Sequence, residues 1–202
     1  MTPAAAAAHI GCVKTFYWSD LHFDHLRTAR DRGFETVQEH DDHIINTWSA
    51  AVRPEDTIWI LGDLTVRPPA RTLEIMHHLP GHKHLILGNH DRAHPIHRAS
   101  HRVHASYRDV FDSVNTAEQH RIGDRLVLLS HFPYEPDEFH GDRYSQWQPK
   151  DEGMWLIHGH VHSLWQTRGR QVNVGVDHWM DGPVPARTLE ALMDAAEGQA
   201  AA

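Results

Sequence analysis

The stretch "VKTFYWSDLH", Val13–His22, passes from an apolar run straight into an aspartate and a histidine two positions apart. Val13–Ser19 is dense in β-branched and aromatic residues and reads as a strand. Open α/β sheets gather their ligands at the carboxyl ends of strands, so Asp20 and His22 stand where a site would form. The same arrangement recurs along the chain. "TIWIL" (Thr57–Leu61) precedes "GD" with Asp63, and "HLIL" (His84–Leu87) precedes "GNHD" with Asn89, His90 and Asp91. "RLVLLS" (Arg125–Ser130) precedes His131, and "MWLI" (Met154–Ile157) precedes "GHVH" with His160 and His162. "QVNVGV" (Gln171–Val176) is a further strand. Strand after strand ending in a metal-competent side chain defines a site.

The segments between the early strands have helical periodicity. Val37, Ile44, Ile45 and Trp48 recur at helical offsets within Glu35–Val52, and Leu73, Ile75 and Met76 within Pro69–Leu79, where Pro68 and Pro69 suit the helix start. The resulting β–α–β–α–β order predicts an α/β fold with a parallel or mixed sheet. The second half differs: "NTAEQHRIGDRLVLLS" reads as two strands joined by a turn at Gly123–Asp124, with more strands following. Trp48, Trp59 and Trp155 are core candidates. No repeat or linker breaks the chain, so one domain spanning 1–202 is expected, with loose tails at 1–11 and about 197–202.

The strand rule also sorts look-alike motifs. "GHKH" (Gly81–His84) precedes its strand and belongs at the opposite sheet edge, which makes His82 and His84 surface residues. Gly62–Asp63 ends a strand, whereas Gly123–Asp124 is a hairpin turn and Gly141–Asp142 lies in a polar loop.

Composition sets the outer bounds. The 202 residues carry a formal charge of −8, which counts against tight binding to long nucleic acid. Cys12 is the only cysteine, so thiolate zinc sites and disulfides are excluded and a reducing, cytoplasmic location fits. No apolar run approaches the roughly 18 residues of a membrane span, and "MTPAAAAAHIGC" lacks the basic and strongly apolar regions of a secretory signal.

Carboxylates, imidazoles and one amide form the mixed N/O ligand set that suits Mn, Fe, Zn, Co or Ni. Side chains two apart on extended backbone point the same way, which pairs Asp20 with His22 and His160 with His162. Asp20, His22, Asp63, Asn89, His131, His160 and His162 are too many ligands for one first-row ion and suit two. An aspartate can bridge ions about 3.5–4 Å apart. Two divalent ions carry more positive charge than two aspartates and a hydroxide cancel, and the excess favours a phosphate anion.

This ordered set, "DLH", "GD", "GNHD", "SH" and "GHVH", resembles that of the calcineurin-like metallophosphoesterases, over Asp20–His162. The resemblance implies a two-sheet α/β sandwich with a binuclear centre at one edge. It assigns Asp20, His22, Asp63 and His162 to one metal and Asp63, Asn89, His131 and His160 to the other, with Asp63 as the bridge. His90 would stabilise the transition state or protonate the leaving oxygen, oriented by Asp91, while a metal-bound hydroxide attacks phosphorus in line. The short chain, with "SDLHFDH" early and "NVGVDHW" late, is most similar to small bacterial and phage members. Protein phosphatases and diadenosine-polyphosphate hydrolases of the family carry D-x-H-G and GDxxDRG. Here Phe23, Val66 and Pro68 depart from that pattern and only Arg67 matches it. The expectation is therefore a phosphodiesterase acting on small nucleotide-like, including cyclic, diesters with two divalent ions, manganese foremost. The alternatives are a superfamily nuclease, a phosphomonoesterase, and a non-catalytic scaffold; scaffolds of this kind lose the GNH histidine, which is present here as His90.

Several residues carry two readings. His25 and His158 either fix ligand orientation from behind or fill polar space. Arg92–Arg108 places His94, His97, His101 and His104 at helical spacing, which suits a solvated helix face or, with Arg92 and Arg67, a substrate-phosphate patch. In Phe132–Gly153, Tyr134, Tyr144 and Trp147 either stack on a base or anchor the loop.

Overall fold

Val13–Ser19 forms β1 (Thr15–Trp18) in a computed structural model that describes residues 12–134 and 141–200. β1 is buried on both faces: Phe16 and Trp18 enter one apolar cluster and Tyr17 another. That explains its continuous rather than alternating apolar pattern. A short helix α1 (Leu26–Asp31) leads to α2 (Val37–Ala51). Thr36 caps α2 in a reciprocal box: its hydroxyl accepts from the Glu39 amide at 3.1 Å, and Glu39 accepts from the Thr36 amide at 3.0 Å. The inner face of α2 buries Ile44 and Trp48, and the Trp48 indole donates to the Pro80 carbonyl at 2.9 Å.

β2 (Thr57–Ile60), α3 (Ala70–His78), β3 (His82–Ile86), α4 (His104–Arg108) and β4 (Ser113–Asn115) follow. β1 to β4 pair in parallel in chain order. The second half contributes β5 (Ala117–Ile122), β6 (Arg125–Ser130), β7 (Trp155–His158), β8 (Thr167–Arg168) and β9 (Gln171–Asn173). These make a second sheet in the order β5-β6-β7-β9-β8. β10 (Val184–Pro185) returns antiparallel to β1 and runs into α5 (Ala186–Ala200). Tyr17, Trp59, Leu61 and Ile86 of the first sheet share a core with Val127, Leu129, Trp155 and Ile157 of the second. The opposite face of the first sheet is covered by Ile44 and Trp48 of α2 and by Leu73 and Met76 of α3. The result is an α/β arrangement of two mixed sheets with flanking helices, as expected. Among the described residues, no helix is long and apolar enough to cross a membrane.

Four expectations need correction. The C-terminal tail placed at about 197–202 is helical through Ala200, and the Glu197 carboxylate accepts from Arg125 at 2.7 Å and from the Trp155 indole at 2.7 Å; the tail at 1–11 lies outside the described residues. β9 stops at Asn173 because Gly175 leaves that sheet to pair with Ser19 beyond β1. "GHKH" partly belongs to β3, yet at its amino end, where His82 pairs with Thr57. His82 is exposed, while His84 is half-buried, its ring stacked 4.5 Å from Trp59. Finally, Arg92–Arg108 is not one helix. Pro95 has no amide to donate, and the stretch runs as successive tight turns, with His97 donating to His94 and Ser100 to His97, before α4 begins.

Thr36→Ala removes the cap without touching the core or the strand ends. It is expected to cost about 1 kcal/mol of stability, read as a lower urea midpoint with unchanged slope.

Candidate metal centre

The carboxyl ends of β1, β2, β3, β6 and β7 meet where the two sheets converge. The loops after β1 and β2 stay paired beyond the strands, Asp20 donating to the Gly62 carbonyl and His22 to that of Asp63, both at 3.0 Å. Their backbone is unusual. Among the described residues the non-glycine positions with positive φ are Asp20, His22, Asp24, Asp63, His160 and His162. The expected pairing of i and i+2 side chains by extended backbone is therefore replaced by left-handed backbone at both positions of each pair. Such conformations cost about 1–3 kcal/mol each and collect at functional sites. The loops also touch. A Cβ on Gly62, at φ +89°, would lie 2.5 Å from His131 Nδ1, and one on Gly88 would strike the Asp63 carboxylate. Only glycine permits this approach.

Asp63 occupies the centre. Its Oδ2 is 3.8 Å from His22 Nε2, 3.5 Å from His131 Nε2 and 3.9 Å from His90 Nε2, while Oδ1 accepts from the His90 amide at 2.9 Å. Asp20 Oδ1 lies 3.8 Å from His22 Nε2, and its Oδ2 accepts from Ser19 Oγ at 2.7 Å and from the His160 amide at 3.0 Å. Asp20, His22 and His162 hold ligand atoms within 4.8 Å of one another, as do Asp20, Asp63 and His131.

Two observations show that this set suits a cation. His131 Nδ1 lies 2.8 Å from the Leu61 carbonyl, which can only accept, so Nδ1 carries a proton and Nε2 is the nitrogen that can offer a lone pair to a cation. That nitrogen faces Asn89 Oδ1 at 3.0 Å, His160 Nδ1 at 3.2 Å and Asp63 Oδ2 at 3.5 Å. The His22 ring is buried with neither nitrogen hydrogen-bonded. Leaving such groups unpaired is costly, and a positive ion among them resolves both features. The donor set of carboxylate, imidazole and amide oxygen, without thiolate, is that of a first-row divalent ion.

The charges agree in direction. Burial resists ionisation of Asp63, but the His131, His90 and His22 rings and the His90 amide hold its carboxyl well below the usual range. Burial and the Asp63 charge push Asp91 up to about 7. Burial opposes protonation of His162, yet its bond to Asp177 and the nearby Asp20 raise that ring to about 9.

Asp91 does not orient His90. Its carboxylate accepts from the amides of Gly88 at 2.7 Å, Asp63 at 3.0 Å and Leu64 at 3.0 Å, which ties the loop after β2 to the loop after β3. The His90 side chain is 43% exposed and looks into the cleft. His25 also lines the cleft, its Nδ1 2.6 Å from Thr28 Oγ1. His158 is fully buried, Nδ1 donating to the Gly159 carbonyl at 2.7 Å and the ring packing 4.8 Å from Trp165. Arg67 lines a neighbouring hollow with His25 and Arg27. Arg92 is exposed, and its amide rather than its guanidinium meets Tyr107 Oη, at 3.2 Å.

His94 is buried against Phe132 and Trp147, and His97 Nε2 donates to the Asn89 carbonyl at 2.9 Å, so both look inward rather than to solvent. Trp147 thus takes the anchoring role. Tyr144 is buried 5.3 Å from the His160 ring, backing the centre. The part of this loop at 135–140 lies outside the described residues.

Asp177 was not expected. It follows β9 and accepts from His162 Nδ1 at 3.2 Å. The rule that located the other residues, an acidic or imidazole side chain just past a strand, reaches Asp177 when applied to Gln171–Val176 as well. Arg32, bound to Asp177 at 2.8 Å, has no comparable signal. Above the centre opens a cleft of about 600 Å³, with His22, His90, His160 and His162 on its floor and Val161, Leu164 and Met180 among its walls.

Fold and site together define an α/β protein of two mixed sheets with Asp and His groups placed to hold metal at one edge. No family model matches the chain. It is 40% identical over 195 residues to the gene 66 protein of Mycobacterium phage D29, across 91% of this chain and 98% of that protein. It is also 40% identical over 180 residues to the gene 66 protein of Mycobacterium phage L5, across 82% and 87%. The chain belongs to the family of these mycobacteriophage gene 66 proteins. Among solved structures, the Aquifex aeolicus protein AQ665, of unknown function, superposes with a TM-score of 0.66 and 25% identity over 89% of this chain and 99% of that one. An archaeal phosphodiesterase superposes with a TM-score of 0.45 and 15% identity over 81% and 82%.

Burial pushes the His158 ring down to about 3 from an ordinary 6.5. Between those values the unfolded chain binds a proton that the folded chain refuses, so stability falls as pH drops below about 6.5. This one group contributes a slope of up to about 1.4 kcal/mol per pH unit. His158→Asn keeps a donor for Gly159 but cannot titrate; in chelator-treated protein it is expected to flatten the acid limb of stability against pH, followed by urea unfolding.

Proposed function

We propose that this chain is a two-metal phosphodiesterase of the calcineurin-like metallophosphoesterase type, acting in the cytoplasm on small nucleotide-like, including cyclic, diesters. The convergence of Asp63, Asn89 and His160 on His131 Nε2, beside a buried His22 ring whose nitrogens make no hydrogen bond, carries this reading. Asp20, His22, Asp63 and His162 would hold one divalent ion, and Asp63, Asn89, His131 and His160 the other, manganese being the first to try. Such a pair, when bound, supplies positive charge for the phosphoryl oxygens and lowers the pKa of water.

The chain's own groups do the rest. Asp63 is placed to serve both half-sites, because its Oδ2 lies between His22 and His131. The His90 amide is fixed on Asp63 while its ring stays open to the cleft, which suits it to hold a proton for the leaving oxygen. Asp91 supports this from below by holding the two loops together. His25 and Arg27 at the cleft margin add polar contacts for a phosphate. Val161, Leu164 and Met180 give the cleft an apolar wall, and Leu164 is 43% exposed. An apolar wall beside a phosphate site favours an organic group on the second ester oxygen, and therefore a diester over a monoester. The net charge of −8 disfavours long nucleic acid.

With Mn²⁺ restored to chelator-stripped protein, bis(nitrophenyl) phosphate should turn over faster than nitrophenyl phosphate, and Asp63→Ala should abolish both metal retention and turnover. His90→Gln should retain metal and lower kcat by about 10²–10⁴. Preference for the monoester would replace the diesterase reading with a phosphomonoesterase. Rapid cleavage of oligonucleotides would make it a nuclease. Two bound ions without turnover of any ester would leave a scaffold.

A further inference from the structure

The two halves of the centre share Asp63 and the Asp20–His160 contact, but the groups behind their remaining ligands differ. His131 is set by the Leu61 carbonyl, and Asn89 by His97 at its own carbonyl. The other half leans on one buried cation. The side chain of Arg32 is 2% exposed, at the end of α1, and its guanidinium is almost fully used. Nε donates to Asp177 Oδ1 at 3.3 Å and Nη2 to Asp177 Oδ2 at 2.8 Å. Nη2 also donates to the Asp20 carbonyl at 2.8 Å, and Nη1 to the Leu21 carbonyl at 3.4 Å and to His40 Nε2 at 3.0 Å.

The chain of bonds continues on both sides. Because His40 Nε2 accepts from Arg32, its Nδ1 carries the proton and donates to Asp41 Oδ1 at 3.2 Å. The Asp41 carboxylate then accepts from the Asp24 amide at 3.2 Å. The left-handed loop Asp20–Asp24 is therefore gripped at both ends by a network rooted in α2. On the far side, Asp177 Oδ2 accepts from His162 Nδ1, which leaves Nε2 as that ring's ligand atom. The His162 ring in turn stacks on His22 at 5.0 Å and 15°.

We infer that Arg32 and Asp177 are positioning residues for one half of the centre: a single buried ion pair sets the Asp20–His22 loop and the tautomer and orientation of His162 together, and reaches the Asn89–His131 half only indirectly, through Asp63 and the Asp20–His160 contact. The inference rests on the two-metal reading proposed above. Both residues border the cleft, but their charged atoms are committed to each other, to main-chain carbonyls, to His40 and to His162. A carboxylate behind a ligating imidazole raises its basicity and fixes its ring, and loss of such partners weakens metal binding by about 10–100-fold. Arginine suits the role because its planar fork satisfies a carboxylate and two carbonyls at once, which a lysine ammonium cannot do with the same geometry.

The test is a calorimetric titration of metal-stripped full-length protein with Mn²⁺, backed by metal content after dialysis. Wild type should take up two ions. Asp177→Asn and Arg32→Lys should each weaken one ion by about 10–100-fold and leave the other within a factor of about two. Equal weakening of both ions, or of neither, in a variant with a wild-type circular dichroism spectrum would overturn the inference. If Asp177→Asn does not fold, Asp177→Glu decides the matter: it keeps a carboxylate for Arg32 but displaces it from His162, and normal uptake of both ions would again overturn it. A wild-type protein that binds no Mn²⁺ would instead withdraw the two-metal reading itself, and this inference with it.

Discussion

The Asp91 carboxylate, fully buried, accepts hydrogen bonds from the amides of Gly88, Asp63 and Leu64. Those three amides belong to the loops after two neighbouring strands, so one side chain fixes the distance between the loops. Everything at the centre follows from that distance. Asp63 reaches the His90 amide only because its loop lies against the next, with no side chain on Gly88 to displace its carboxylate, and His131 fits beside Gly62 only because Gly62 has no side chain. A buried carboxylate satisfied by main-chain donors is strongly directional, which makes it a better spacer than apolar contact would be.

The spacing has an electrostatic consequence. Buried carboxylates and imidazoles at 3.5–3.9 Å from one another, as Asp63 is to His131, His22 and His90, would be costly in a low-dielectric interior without compensation. The left-handed backbone at Asp20, His22, Asp63, His160 and His162 adds strain in the same place. The apolar cores bear that load. Trp18 and Trp48 pack at 6.4 Å beneath the first sheet, and Tyr17, Ile86 and Leu129 fill the space between the sheets. The carboxyl ends of the strands that carry the site are buried: Trp18, Ile60, Leu85, Ile86, Leu129, Ser130 and Ile157 are all inaccessible or nearly so.

Much of this arrangement is legible from the strand pattern. An apolar run followed at once by Asp, Asn or His located Asp20, Asp63, Asn89, His131 and His160, because strand direction fixes which end of the sheet they reach. What escapes the pattern is set by tertiary context. Asp91 looks like a partner for its neighbour His90, but nothing local reveals that its oxygens turn toward amides of another loop. Arg32 sits in a hydrophilic stretch with Arg27 and Arg30, and burial alone distinguishes it from them. The helix α5 announces itself only by Leu189, Met193 and Ala196, a short stripe packed on the intersheet core. The regular histidine spacing of 94–104 mimics a helix because repeated three-residue turns have nearly the same period.

With 21 histidines, the chain must separate ligands from bystanders, and the second ring nitrogen is what separates them. His43 spends a nitrogen on the Met180 carbonyl, His97 spends one on the main chain of Asn89 behind the centre, and His84 pairs with Ser113 Oγ at 2.8 Å on the opposite edge. His131 and His162 also fix one nitrogen, on the Leu61 carbonyl and on Asp177, but the other faces carboxylates. An imidazole whose one nitrogen is fixed by an acceptor and whose other nitrogen is aimed among anions is poor for folding and well suited to binding a cation. "GHVH" and "GHKH" are nearly the same string. They differ in what lies behind the ring and what lies in front of it, and strand direction decides both.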